Sequence, residues 1–244
     1  MSLPTPDPAF RWTVEPWGNA LRCAPLGAVA QHVFTSRQLQ LPTPEGWAAA
    51  AVSVGGIPEN LRRVKQVHGN SVRVLTRGET RDDDAEARPD GDAVVSNVPG
   101  LVLAVLVADC VPVLLSGTGG VVAAVHAGRP GLVAGVVPRT LDVMRDLGAG
   151  EVDAVVGPSV CGRCYEVPEG MRDVAAAVQP VSATVSWTGT PAIDVAAGVV
   201  AQLRDAGVEV RWVPGCSRER DDLYSYRRDG RTGRFAGVVA RSEA

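Results

Sequence analysis

Lysine is almost missing from this 244-residue chain. Of its 24 basic residues only Lys65 is not arginine, a bias expected of GC-rich coding that lowers the information in any one arginine. There is no basic excess either: the formal net charge is -3 and the pI about 5.7. No global positive field therefore argues for nucleic acid or an anionic membrane as a partner. The opening MSLPTPDPAF lacks the basic start and apolar core of an export signal, so residues 1–9 are expected to be a disordered tail. Five cysteines, an odd number without such a signal, read as reduced thiols in a cytoplasm. Residues 98–115 are long enough to span a membrane, but Asp109 and Pro112 interrupt them and turn residues follow, which favours a buried core. The C-x-x-C of Cys161 and Cys164 lacks the second pair that would complete a structural zinc site, and no thioredoxin-like βαβ frame starts there. It reads as loop packing.

What is present centres on Leu101–Gly131, LVLAVLVADCVPVLLSGTGGVVAAVHAGRPG. Leu101–Val107 and Val121–Val125 are short Val- and Leu-rich runs bounded by turn signals, and predict buried strands with a turn at Gly117–Gly120. One reaches Asp109-Cys110 and the other His126, so a thiol and an imidazole are expected at one sheet edge. Beyond a Gly-rich turn, Val133, Val136, Val137, Leu141, Met144 and Leu147 recur at helical spacing, and Gly148 closes the segment. Glu151–Val156 and Val208–Val213 read as strands, and Pro168–Val178 and Ala192–Ala206 as amphipathic helices. The order is typical of α/β layering, and the length allows one large α/β domain or two small ones. Residues 38–60 carry Pro, Gly and Ala without a firm period. The acidic run from Thr80 to Asp92 does not match an EF-hand and reads as a solvated loop ending with Asp92 close to the site.

His32 reads as a structural histidine. His68, in VKQVHGNSVRV, falls at a bulge or turn that can aim it into a cleft. Two imidazoles, His68 and His126, with the thiol of Cys110 and an open position make a typical catalytic zinc set, and the same ligands suit copper. In the tail YSYRRDGRTGR, arginines can clamp phosphate and tyrosines can stack on a base.

KQVHG, the DGDA to ADCVP segment, the HAG turn, GPSVCGRCYEV and YSYRRDGRTGR, in this order from about Val33 to Val239, resemble the YfiH-like family. That family, also called the polyphenol oxidase or laccase-domain family, is described as purine nucleoside phosphorylases with adenosine deaminase activity. The resemblance implies one compact layered α/β domain over residues 10–244, with a mixed central sheet and helices packed outside, and a zinc site of His68, Cys110 and His126, all three catalytic, acting on purine nucleosides and phosphate; monomer and homodimer both stay open. It implies substrate-pocket roles for Arg37 of FTSR and for Arg227 and Arg228 of SYRRDG. The family's usual HAGWRG is HAGRPG here, so Arg129 would have to serve from a shifted position. Three rivals stand beside this reading. One is a metal-free hydrolase or deamidase with Cys110 as nucleophile and His126 as base, another a single-copper phenol oxidase, and the last a non-enzymatic interaction protein. A full multicopper cluster needs far more than the three histidines of this chain.

Overall fold

The computed structural model describes residues 10–23, 26, 30–41, 43–75, 88–213 and 215–241; the expected tail and most of the acidic loop lie outside them. Along the chain run β1 (Phe10–Glu15), β2 (Gly18–Cys23), β3 (Ala30–Phe34), α1 (Pro44–Ser53), β4 (Leu61–Arg62), β5 (Val72–Val74), β6 (Ala93–Ser96) and β7 (Val102–Val107). There follow β8 (Val111–Gly117), β9 (Val121–Ala127), α2 (Arg129–Ala134), α3 (Val136–Asp146), β10 (Val152–Val156) and α4 (Glu169–Val178). The last part holds β11 (Ala183–Val185), β12 (Pro191–Ile193), α5 (Val195–Asp205), β13 (Glu209–Trp212), α6 (Tyr226–Asp229) and β14 (Phe235–Arg241).

The α/β layering is built on two six-stranded mixed sheets, β1-β2-β3-β14-β7-β4 and β13-β10-β8-β9-β6-β5, with β11 and β12 forming a small ribbon. They pack face to face through Phe34, Leu103, Val105 and Val239 of one and Val94, Leu114, Val122 and Val155 of the other. Strand period two sends the alternate residues outward. Val113, Leu115, Ala123 and Val125 meet Leu132, Val136, Leu141 and Val199 of the helices on one outer face. Val33, Val102, Ala236 and Val238 meet Trp47, Ala50 and Ala51 of α1 on the other. Central strands are thus covered on both sides, which is why they read as continuous apolar runs rather than as alternation. Each buried Leu or Val adds roughly 1.5–3 kcal/mol of transfer free energy.

Three local differences from the sequence reading have physical causes. The single helix expected beyond the Gly-rich turn begins at Arg129 and is two helices, broken where Gly135 takes a left-handed φ of 76° and donates to the carbonyls of Gly131 and Leu132. Residues 44–53 are helical although no period marks them: Thr43 caps the helix through its hydroxyl on the Gly46 N–H, with Pro44 at the first position. The run across residues 98–115 is two strands in different sheets, β7 and β8, and no described helix is long and apolar enough to cross a membrane.

Candidate active site

The chain passes from one sheet to the other at Ala108-Asp109-Cys110, and the site lies at that crossing. Asp109 adopts φ 98°, a left-handed region unfavourable for a residue with a Cβ. Its side chain compensates: one carboxylate oxygen accepts from the Ser217 hydroxyl at 2.7 Å and the other from the Arg227 N–H at 2.6 Å. Its carbonyl accepts from Val160 N–H at 2.9 Å. Cys110 therefore leaves the turn in a fixed direction just before β8, where Val111 pairs with Ala127 and Pro112 with His126. The Asp109 turn and the hairpin register together set the thiol beside the imidazole.

His68 arrives from a separate loop. Gln66 holds that loop to the other sheet, its side-chain amide donating to the Leu106 carbonyl at 2.7 Å and its oxygen accepting from the Leu106 N–H at 2.8 Å. His68 itself has φ 62°, and the fully buried carboxylate of Asp92 steadies the turn. One Asp92 oxygen accepts from the His68 N–H at 2.8 Å and the other from Gly69 N–H at 2.6 Å. The same carboxylate pairs with His126 Nδ1 at 2.8 Å. A single aspartate thus orients both histidines, and because Nδ1 of His126 is engaged, its Nε2 is the nitrogen left for chemistry. The two rings meet edge to face with centroids 4.7 Å apart.

His68, Cys110 and His126 each present a ligand atom within 4.8 Å of the others. Burial opposes ionisation of Cys110, but hydrogen bonds from His126 and His68 outweigh it and bring the thiol down to about 6. Burial likewise favours neutral His126, yet Asp92 and Cys110 overcome it and raise the imidazole to about 9. Asp92 is held below the usual carboxylate range: its burial works against the charge, and the bonds from His126, Gly69 and His68 prevail.

The cluster opens on a pocket of about 650 Å³, within the range of small-molecule sites. Of the arginines expected there, Arg129 and Arg227 line it. Arg37 and Arg228 are not among its lining residues. Arg37 is exposed, donates to the Asp221 carbonyl at 3.1 Å and lies over the Tyr224 ring. The Arg228 guanidinium is spent on the carbonyls of Ser217, Arg220 and Leu223 and on Asp229, so it organises its own segment. Gln66 and Tyr165, whose ring carries the Arg227 guanidinium at 4.5 Å, were not singled out from the sequence and also line it, as do Tyr226 and Arg234 of the YSYRRDGRTGR tail. Their signal lay in the motifs, but only the fold shows which side chains turn inward. His32 is buried in β3, where its Nε2 accepts from the Cys23 N–H at 3.0 Å, well within a structural role.

Comparison with known proteins agrees with this architecture. The chain is 46% identical over 242 residues, 89% of its length and 97% of the other's, to a protein of Streptomyces griseus named purine nucleoside phosphorylase. It is 53% identical over 198 residues, 78% of each chain, to a purine nucleoside phosphorylase of Streptomyces coelicolor. The crystal structure of YlmD from Geobacillus stearothermophilus superposes with a TM-score of 0.84 at 24% identity, covering 96% of this chain and 99% of that one, and shares the fold. Residues 45–242 match the family model described as multi-copper polyphenol oxidoreductase laccase, and the chain belongs to that family, the YfiH-like family its motifs resemble.

Proposed function

We propose that the pocket is the active site of a zinc-dependent purine nucleoside enzyme. It would cleave adenosine, inosine or methylthioadenosine with phosphate and deaminate adenosine. The observation that carries this is the convergence of His68, Cys110 and His126 at the floor of a nucleoside-sized pocket walled by arginine and tyrosine.

The donor set fits a metal. A Cβ added at Gly128 would meet His68 Cδ2 at 3.0 Å and Cys110 Sγ at 3.1 Å, so glycine keeps the space between the donors clear. A carboxylate on the second ring nitrogen of His126 is the usual support of a zinc-bound histidine. The same donors could hold one copper. When bound here, zinc supplies Lewis acidity and makes water ionise near neutral pH.

The chain's own groups supply the rest. Arg129 and Arg227 hold the phosphate, whose oxygen bonds to C1′ as the bond from C1′ to the purine breaks and its electron pair leaves with the base. Tyr226 offers a ring face to the purine, and Tyr165 holds the Arg227 guanidinium in the wall. In deamination, water adds at C6 and ammonia leaves, giving inosine.

One observation favours a second reading. Cys110, His126 and Asp92 stand in the order nucleophile, base and orienting carboxylate, as a metal-free cysteine hydrolase requires. Replacing His68 separates the two: a zinc enzyme loses metal and activity, whereas a Cys-His hydrolase retains its pair.

The test is chromatography of products after incubating purified protein with adenosine, with and without phosphate, alongside Cys110→Ala. Phosphate-dependent adenine and phosphate-independent inosine, both lost in the variant, are expected. No product from folded, zinc-replete protein overturns the proposal.

A further inference from the structure

The C-x-x-C that the sequence leaves without partners finds them in the fold. Ser159 and Cys216 form an isolated parallel bridge, with Ser217 N–H donating to the Ser159 carbonyl at 2.9 Å, so the two cysteine-bearing loops run side by side. Cys164 N–H donates to the Cys161 carbonyl at 3.0 Å, closing a turn that carries both thiols. Cys161 N–H points at the Cys216 sulfur at 3.4 Å, and the Cys164 thiol at Glu219 Oε1 at 3.2 Å. The three sulfurs and one carboxylate oxygen all lie within 4.8 Å of one another. None of the four residues lines the pocket of the candidate active site.

We infer that Cys161, Cys164, Cys216 and Glu219 form a second, structural zinc site. Tetrahedral zinc with bonds of about 2.3 Å to sulfur sets neighbouring donors roughly 3.8 Å apart. The donors, none more than 4.8 Å from another, therefore need to draw together by only about an ångström. A disulfide would use two of the three sulfurs and leave the third thiol and the carboxylate without a purpose. Four protein donors from two loops, with Cys164 and Cys216 buried, close the coordination sphere and leave no position for substrate. Three thiolates and a carboxylate around one divalent ion retain two negative charges. Arg218 donates to the Cys164 carbonyl at 3.4 Å, and Arg163 sits on the Trp187 ring, whose indole N–H donates to Glu219 at 3.4 Å. Arg218 thus borders the cluster, and Arg163 is joined to it through Trp187.

The location gives the ion a task. Val160 and Tyr165, each next to one of the cysteines, line the pocket. Ser217, next to Cys216, holds the carboxylate of Asp109, the neighbour of Cys110. A metal there would staple the wall of the pocket to the turn that aims the thiol.

The experiment is elemental analysis of full-length protein purified under reducing conditions, with Cys110→Ser, Cys216→Ser, the double variant, and Glu219→Gln, whose exposed side chain should leave folding intact. The expected result is one equivalent of zinc that survives Cys110→Ser and is lost in Cys216→Ser. In Glu219→Gln that equivalent should yield to a chelator at least tenfold more readily. Cobalt(II) added to metal-stripped Cys110→Ser protein should give a thiolate-to-cobalt charge-transfer band that the double variant lacks. Cys110→Ser protein that is folded yet holds no zinc and gives no such band overturns the inference. So does a count of two missing thiols in unreduced, denatured wild-type protein, which would mean a disulfide. A loss of zinc confined to Cys110→Ser would leave the catalytic reading standing and remove this one.

Discussion

Asp92→Asn is the most informative single change, because the side chain keeps its shape and loses only charge and one acceptor. In the wild type, one oxygen takes both the His68 N–H and His126 Nδ1, and the other takes the Gly69 N–H. Asparagine can keep two of the three by placing its carbonyl on the histidine side. Its NH2 group then confronts the Gly69 N–H, and a buried donor without an acceptor costs about 1–3 kcal/mol. The two retained bonds also lose their charge, each falling from about 1.5–3 to about 1 kcal/mol. The sum is a destabilisation of about 2–7 kcal/mol, measured by urea unfolding of metal-free protein. Loss of the carboxylate partner should further weaken zinc binding about 10–100-fold, measured by competition with a chromophoric chelator. Stability within about 0.5 kcal/mol of wild type together with unchanged zinc affinity would refute the idea that this carboxylate organises both histidines.

Gly128→Ala tests the cradle alone. Its φ of -80° is open to any residue, so the cost falls on the 3.0–3.1 Å contacts with His68 and Cys110; a tenfold or greater loss of zinc affinity with a Tm close to wild type is expected. Arg129→Ala and Arg227→Ala should each raise KM for phosphate at least tenfold in steady-state phosphorolysis while sparing deamination, whereas Arg37→Ala, outside the pocket wall, should leave both unchanged. His32 predicts an acid-sensitive fold. Burial, then the charge of Arg22, lowers its pKa from 6.5 to about 4, so the unfolded chain binds the extra proton first and stability falls as pH drops through that window. The loss reaches about 3 kcal/mol near pH 4, and urea titrations of His32→Gln should lack it.

The elements legible in the sequence are those whose burial is one-sided or complete over a whole run. β7, β9 and β10 declare themselves as Val-rich runs because both faces are covered, and α3 shows three- and four-residue spacing because only one face is. α1 is hidden by its own composition. Alanine surrounds the helix on all sides, so no stripe distinguishes the face carrying Trp47 and Ala50, and only the Thr43-Pro44 cap marks its start. The three residues that converge at the candidate site were legible because imidazole and thiol are rare here, with Cys110 and His126 at the ends of apolar runs and His68 at a turn signal. The groups that aim them were not, since Asp92 acts on residues 23, 24 and 34 positions away and Asp109 on residues 108 and 118 away. A motif gives a residue's place along the chain and not its direction. For that reason Arg227 and Arg228, adjacent in one motif, separate into a pocket residue and a clamp on backbone carbonyls.

The same distinction bears on the HAGRPG turn. Against HAGWRG the guanidinium moves back one position and proline takes its place, a change that looks damaging as a string. Arg129 and Pro130 are the first two residues of α2, where N–H groups have no partner inside the helix, so proline there removes no hydrogen bond and its fixed φ suits the first turn. Both residues line the pocket. The exchange therefore withdraws an indole from the wall and leaves a guanidinium in it, and its effect should fall on the shape of the space offered to the nucleoside more than on the charge offered to phosphate. Restoring the pair by Arg129→Trp with Pro130→Arg should then shift relative kcat/KM among adenosine, inosine and methylthioadenosine while holding KM for phosphate within about threefold. A change in phosphate KM alone would mean that the position of the arginine, and not the volume beside it, is what the exchange altered.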